Sequence, residues 1–303
     1  MSLLDKRLVV VTGKGGVGRT TCAAAIAVAA AKRGKRACVV ELSGMGSVPP
    51  LFGLEGRSFT FRRATEGVYV WSLTVEECLD DFGRRKLKLP SLMRKLFQTR
   101  ATRTFVDAIP GLHDLLQLGK LENLINEPLP DDPRFDLFVV DAPATGHGLT
   151  LLSSARSMSD VSKAGPFHDL AQIIGAFLED GNTTGVAVVT LPEDLPVSES
   201  LELMAELRAM GLPPSAILAN KRVPPPLEGL MPLSTVDEVI RPLPHGAQLL
   251  DLLGMAHRRA EAQTEALDRL KAEAGAVPVV SLPSLDGVPV LPKALGPLLA
   301  EAL

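Results

Sequence analysis

Four glycines, two basic residues and a threonine stand together in Gly13-Lys14-Gly15-Gly16-Val17-Gly18-Arg19-Thr20. That spacing suits phosphate binding. Glycines there allow a tight turn whose backbone N–H groups converge on an anion, and a helix opening at the end of the turn adds the positive pole of its dipole. A cation beside the turn neutralises phosphate, and a hydroxyl after it, Thr20 with Thr21 behind, can ligate a hard divalent cation. A second piece lies far along the chain. The apolar run Phe138-Val139-Val140 ends in Asp141, a strand-terminal carboxylate that would sit near the same cation. A nucleotide with Mg²⁺ is the natural ligand, held by Thr20 and Asp141 at the metal. A bare Gly-rich turn is the bland alternative, and the strand–loop–helix context argues against it. Arg19 occupies the place usually held by lysine. Its planar fork still neutralises phosphate but need not sit where charge develops during hydrolysis, so binding is more secure than turnover. Lys14, directly after the first glycine, is not required by an ordinary phosphate loop.

The elements that must hold these residues are readable from apolar runs. Leu8-Val9-Val10-Val11-Thr12 is mostly β-branched, as strands covered on both faces are. An alanine-rich helix follows from about Thr20 to Lys32, then a second strand at Ala37 to Leu42, giving a βαβ unit. Further strands are expected at Gly67–Trp71, Phe135–Val140, Gly185–Thr190, Ser215–Ala219 and Val277–Val280. Helical patterns run from Glu199 to Met210 and from His245 to Lys271. The sum is a doubly wound α/β fold with a mostly parallel sheet. One P-loop domain is expected over residues 1–303, with a helical insertion at about 82–126 and a short second helical segment at about 157–180. The insertion opens with a basic amphipathic stretch, Arg84 to Arg103, readable either as a solvated face or as a partner or client surface.

Composition sets the outer limits. The chain has 303 residues, 46% hydrophobic and 22% charged, enough for a sizeable core. A net charge of -3 argues against nucleic acid as the partner. Cys22, Cys38 and Cys78 form no CxxC pair, so neither a disulfide framework nor a zinc site is expected, and a reduced cytoplasmic compartment fits. The longest apolar stretch, Cys22 to Ala31, is far shorter than the roughly 20 residues that cross a bilayer, so no stable membrane insertion is expected.

The loop as a whole, with Lys14 in place, resembles the deviant Walker A motif shared by the MinD/ParA, nitrogenase iron protein and ArsA/Get ATPases. In those families this lysine crosses a dimer interface to the nucleotide of the other subunit. The resemblance therefore implies a nucleotide-sandwich dimer with Lys14 acting in trans. Val139-Val140-Asp141-Ala142-Pro143-Ala144-Thr145-Gly146-His147 looks like the Walker B strand and switch II loop of the ArsA/Get branch. Ile109-Pro110-Gly111-Leu112-His113-Asp114 and Val188-Val189-Thr190-Leu191-Pro192-Glu193 are similar to segments of that branch. Ile217-Leu218-Ala219-Asn220 ends in Asn where the branch recognises adenine, and Ser281-Leu282-Pro283 falls where it places a second adenine-contacting loop. The resemblance implies ATP or ADP as the nucleotide, with Asn220, Leu282 and Pro283 holding the base. GTP is disfavoured because Val223 stands where a guanine-reading Asp would complete Asn220-Lys221-Arg222.

Departures from the family pattern shape the functional expectation. Ser43 stands where the family's switch I has a water-orienting Asp, and a neutral hydroxyl cannot do that work. Glu41, two residues earlier, can substitute for it if the strand end bends, or serve as a strand-terminal contact to a neighbouring backbone or ribose. The zinc clasp of eukaryotic-type Get dimers and the arsenite-binding cysteines of ArsA pumps are both missing. The whole is similar to the degenerate partner in paired bacterial ArsA/Get-like paralogues. That predicts a homodimer, or a heteromer with a paralogue whose switch I is intact, with a protein client as a further partner. Two readings follow: a nucleotide-binding subunit with weak or no hydrolysis of its own, or an active ATPase that couples hydrolysis to client binding, transport or targeting. A MinD-type positioning ATPase would need a basic amphipathic C-terminus, and Leu291 to Leu303 is not basic.

Overall fold

The computed structural model describes residues 2–42, 46–86, 104, 106, 108–142, 147–226, 233–285 and 291–303. The β-branched runs do what their lack of polar alternation demands: they lie in a sheet covered on both faces. Eight strands stand in the order β3-β4-β2-β5-β1-β6-β7-β8. They are β1 Leu8–Gly13, β2 Ala37–Glu41, β3 Arg62–Thr65, β4 Val68–Ser72, β5 Leu137–Asp141, β6 Thr184–Thr190, β7 Ala216–Arg222 and β8 Val279–Pro283. All neighbours run parallel except β3 against β4. Strand β1 is flanked by β5 and β6, with Val11 opposite Asp141 and Gly13 opposite Val189. The glycine loop and Asp141 therefore leave the same carboxyl edge of the sheet.

Two helices cover one face. Helix α1, Arg19–Lys32, buries a run of small residues from Cys22 to Ala30 against the sheet. The C-terminal helix Leu291–Ala302 packs against it, so close that a Cβ at Gly296 would meet Val28 Cγ1 at 2.4 Å. The other face carries α2 Val75–Arg85, α3 Leu112–Asn126, α4 His147–Val161, α5 Pro166–Glu179 and α6 Asp194–Ala209. Helix α7, Leu233–Ile240, packs on α8, Gly246–Ala274, whose C-terminal half also joins this core; the C-terminal helix is α9.

Several described elements went unforeseen, among them α7, which stands in a Pro-rich stretch expected to be loop, and β3 and α9. Strand β3 reads Arg62-Arg63-Ala64-Thr65, without apolar alternation; it exists because the turn at Gly67 (φ +70°) folds it back on β4. Helix α9 is masked in the sequence by Pro292 and Pro297. Among the described helices none is long and apolar enough to cross a membrane.

The start of the basic stretch has a structural use. Asp81, buried on α2, accepts hydrogen bonds from Arg84 Nη2 (3.0 Å), Arg85 Nε (3.0 Å), Lys120 Nζ (2.9 Å) and Asn123 Nδ2 (2.9 Å). Arg85 also donates to the Glu127 carbonyl and pairs with Asp132. These charges lock α2 to α3 rather than facing a partner. Residues 87–103 of the stretch lie outside the described residues.

Candidate nucleotide site

The loop after β1 is shaped by contacts that leave no room for side chains. Gly13 has φ +146°, and a Cβ there would lie 2.3 Å from the Val189 carbonyl oxygen of β6. Gly18 caps α1 in the left-handed region at φ +94°, with its missing Cβ 2.3 Å from Asn220 Nδ2. Gly16 is also left-handed, at φ +80°, but opens to free space. Helix α4 approaches equally tightly: a Cβ on Gly148 would sit 2.2 Å from Thr12 Oγ1. Val17 is buried and pins the loop to the α1-side core, while Lys14, Gly15 and Gly16 are exposed.

Strand β7 braces the loop from the side. Asn220 is buried and its Nδ2 donates to the Val17 carbonyl at 2.9 Å. Lys221, held at φ +60°, directs its ammonium to the Gly16 carbonyl at 3.4 Å. The sequence shows the Asn-Lys pair, but Lys221 became a loop contact only once the backbone turned left-handed. Leu282 and Pro283 lie on β8 beside it, with Pro283 opposite Arg222 and Ser284 N donating to the Arg222 carbonyl. The side chain of Leu282 is fully buried in the core on the α1 side. Leu282 is therefore left with backbone groups to offer a ligand.

At the carboxyl end of β5, Asp141 is buried and the Thr20 hydroxyl hydrogen-bonds its carboxylate. Burial pushes its pKa up to about 6, with Thr20 and the Arg19 guanidinium acting against the rise and Glu41 adding to it. Arg19 is half-buried, and its pKa is lowered by that burial while Asp141 pulls it back up. A hydroxyl and a carboxylate form the all-oxygen donor set that Mg²⁺ takes. A buried carboxylate that binds protons too readily gains from a cation beside it. The residues present fit Mg²⁺. Thr21 is half-buried at the next position of α1.

Glu41 resolves into the second of its two readings. It is fully buried, and both carboxylate oxygens are taken: Gly46 N donates to Oε2 at 3.0 Å, Ser47 N to Oε1 at 2.5 Å and Ser72 Oγ to Oε2 at 3.0 Å. It ties the returning loop to β4. Ser43 lies outside the described residues, as do Pro143 to Gly146 of the switch II stretch and the side chain of His147. Lys14, half-exposed, leans on Glu199 of α6 with Nζ to Oε1 at 3.5 Å. An exposed pair of this kind is worth about 0–1 kcal/mol, so the lysine is cheaply released. Glu199 carried no signal in the sequence; it arrives only because α6 follows β6, the strand next to β1.

The three cysteines are buried in α1, β2 and α2. Burial pushes the Cys22 thiol up to about 12 and the other two well above the ordinary range, so none is a ready thiolate.

Comparison with known proteins adds the family dimension. Residues 6–165 match the family described as anion-transporting ATPase. The chain is 34% identical over 229 residues to "ATPase BagA" of Mycobacterium tuberculosis, which covers 73% of this chain and 67% of that one. "Protein Rv2184c" of the same organism is 27% identical over 335 residues, covering 98% of this chain and 75% of the relative. "Putative arsenical pump-driving ATPase 2" of Aquifex aeolicus is 25% identical over 241 residues, covering 70% and 79%.

Proposed function

The chain belongs to the anion-transporting ATPase family, and from that premise we propose that it is an adenine-nucleotide-binding subunit that pairs with a second ATPase subunit across the nucleotide. Its own hydrolysis is weak or absent, and Lys14 serves the nucleotide of its neighbour. Residues 1–303 act as one P-loop unit. The loop from Gly13 to Thr21 holds the phosphates, with Asn220, Pro283 and the Leu282 backbone around the base. Thr20 and Asp141 would hold Mg²⁺, which supplies charge neutralisation at the phosphates when bound.

The observation that carries weak hydrolysis is the engagement of Glu41. A general base must reach the proton it takes. Glu41 has three donors on its two oxygens and no solvent exposure to speak of. With serine at position 43, the switch I stretch offers no other carboxylate for orienting water. The weak Lys14–Glu199 pair supports the trans role, because the lysine is not committed within its own subunit. Helix α3 supports coupling to a client: Gln117 Nε2 donates to the Leu42 carbonyl at 3.4 Å, joining the helical layer to the chain that leads into switch I. Arsenite is a poor client for this chain, since its thiols are buried and protonated.

The purified chain should bind ATP with Mg²⁺ and turn it over slowly or not at all. A family paralogue with a carboxylate at the position of Ser43 should show faster turnover when mixed with it. Lys14→Ala should remove that stimulation while leaving nucleotide affinity within about twofold, since an exposed pair contributes little. Rapid turnover by the chain alone, lost in Glu41→Gln, would instead establish an active ATPase. Under the present reading Glu41→Gln acts on stability. Its amide cannot accept from all three donors, which costs about 1–3 kcal/mol in a denaturant titration.

A further inference from the structure

The nucleotide site has no use for the basic residues that follow α1. Lys32, Arg33, Lys35 and Arg36 close that helix and lead into β2. In the fold they meet the hairpin turn before β4 and the first turn of α9. Lys32, Lys35, Arg36 and Lys293 line one cleft of about 470 Å³, with Val28 and Glu66 in its wall. Strands β2 and β4 both begin here, Ala37 opposite Val68, so the cleft opens at the amino edge of the sheet. The phosphate loop leaves the carboxyl edge. Helix α1, of 14 residues, joins the two places and spans about 20 Å between them.

Two of the four cations are fixed. Lys35 Nζ donates to the Leu4 carbonyl at 2.6 Å and pairs with Asp5 at 3.2 Å. The Arg36 guanidinium lies 5.2 Å from the Tyr69 ring centroid and 5.3 Å from that of Phe135, contacts that hold it by its face. The other two, Lys32 and Lys293, are exposed and make no hydrogen bond or ion pair among the described residues. Lysines at a helix C-terminus often do no more than face its negative pole. Here backbone already meets that pole: Arg33 N and Lys35 N donate to the Ala30 carbonyl, and Gly34 N to that of Ala31. Lys293 stands at the other kind of pole, in the first turn of α9, where the dipole favours an anion over a cation. The carboxylates at hand do not balance the group. Glu66 lines the cleft and Asp5 stands behind Lys35, which leaves two positive charges over in a chain whose net charge is -3.

We propose that this cleft binds the diphosphate group of a soluble ligand. Two linked phosphates offer acceptor oxygens to both lysines at once, and the planar fork of Arg36 suits two oxygens of one phosphate. The volume falls in the range of small-molecule sites, roughly 300–1,000 Å³, so room remains beside Val28 for an organic body. A lipid headgroup presents the same chemistry from a flat surface, and a cleft suits the free ligand better. The site is separate from the phosphate loop and does not depend on how subunits pair.

The test uses the full chain carrying Gly16→Asp, which closes the phosphate loop at a position where a side chain meets nothing. Inorganic pyrophosphate is titrated into it calorimetrically at about 0.15 M salt, without added Mg²⁺, where exposed charges are well screened. One saturable site is expected. Lys32→Ala and Lys293→Ala should each weaken it by roughly tenfold or more, since each gives up a charge-assisted hydrogen bond to phosphate. Glu66→Gln should tighten it severalfold, a gain that damage to the fold cannot mimic. All three positions are exposed, so thermal unfolding of each variant should stay near that of its parent. No saturable binding, or binding indifferent to all three changes, overturns the site. Vesicles of phosphatidylcholine and phosphatidylglycerol form the second arm. Retention on them that needs Lys32 and Lys293, with no binding of free pyrophosphate, overturns the soluble ligand in favour of a membrane surface.

Discussion

Gly18→Val abolishes nucleotide binding at working concentrations. Two costs add at this position. A β-branched residue must take φ +94°, the left-handed region, which costs about 1–2 kcal/mol for residues with a Cβ. That Cβ would also lie 2.3 Å from Asn220 Nδ2, so Asn220 must move and release the Val17 carbonyl, another 1–3 kcal/mol or so for a broken buried hydrogen bond. Together this is roughly 2–5 kcal/mol, or a loss in affinity of about 30-fold to several thousandfold. Gly16→Ala provides the graded comparison. Gly16 shares the left-handed backbone, yet a Cβ there meets nothing within 4 Å, so only strain remains and the loss should be about tenfold. Gly16→Asp adds a carboxylate to the anion site and should again abolish binding. Calorimetric titration of ATP with Mg²⁺ checks all three, with thermal unfolding to show that each variant folds. Unchanged affinity in Gly18→Val would remove the phosphate loop as the nucleotide site.

Much of this site is legible in the residues alone, for physical reasons that also explain what is not. The glycines announce a backbone that side chains cannot follow, and Asp141 is found because an apolar run has to end before a carboxylate can be placed. Strands β1, β2, β4, β5, β6, β7 and β8 are apolar on both faces, a signal that survives without structure. The polar edge strand β3 is not, because pairing rather than burial makes it. Contacts set by strand order are equally silent. Nothing in Glu199 predicts Lys14, and nothing in Lys221 predicts the Gly16 carbonyl, until β6 and β7 are known to follow β1 in the sheet. The two readings of Glu41 were separable only by its partners. Gly46 and Ser47 lie five and six residues on, but Ser72 comes from another strand.

Asp81→Ala should be the most destabilising single change in the helical layer, at about 3–5 kcal/mol at pH 7. Removing one partner of a buried charge cluster leaves the others uncompensated. Here Lys120 loses its recorded carboxylate, Asn123 an acceptor, and Arg85 one of two carboxylates. The pH dependence has a definite sign. Burial alone would raise the Asp81 pKa, but Lys120, Arg85 and Arg84 outweigh it and hold the carboxyl below its ordinary value. A depressed folded pKa means that the unfolded chain takes up the proton first. The contribution of Asp81 is therefore complete above the ordinary carboxylate range near 4 and is lost as pH falls through the folded value. Urea titrations should show the full gap between parent and variant at pH 7 and a smaller one at pH 4 and below. Because the cluster joins α2 to α3, and α3 carries Gln117 to the Leu42 carbonyl, loosening it should be felt at switch I before it is felt at the phosphate loop. ATP affinity should hold within a few-fold in Asp81→Ala, while protease sensitivity of the helical layer rises and no longer responds to nucleotide. An unchanged response would mean that the helical layer does not sense the site through α3.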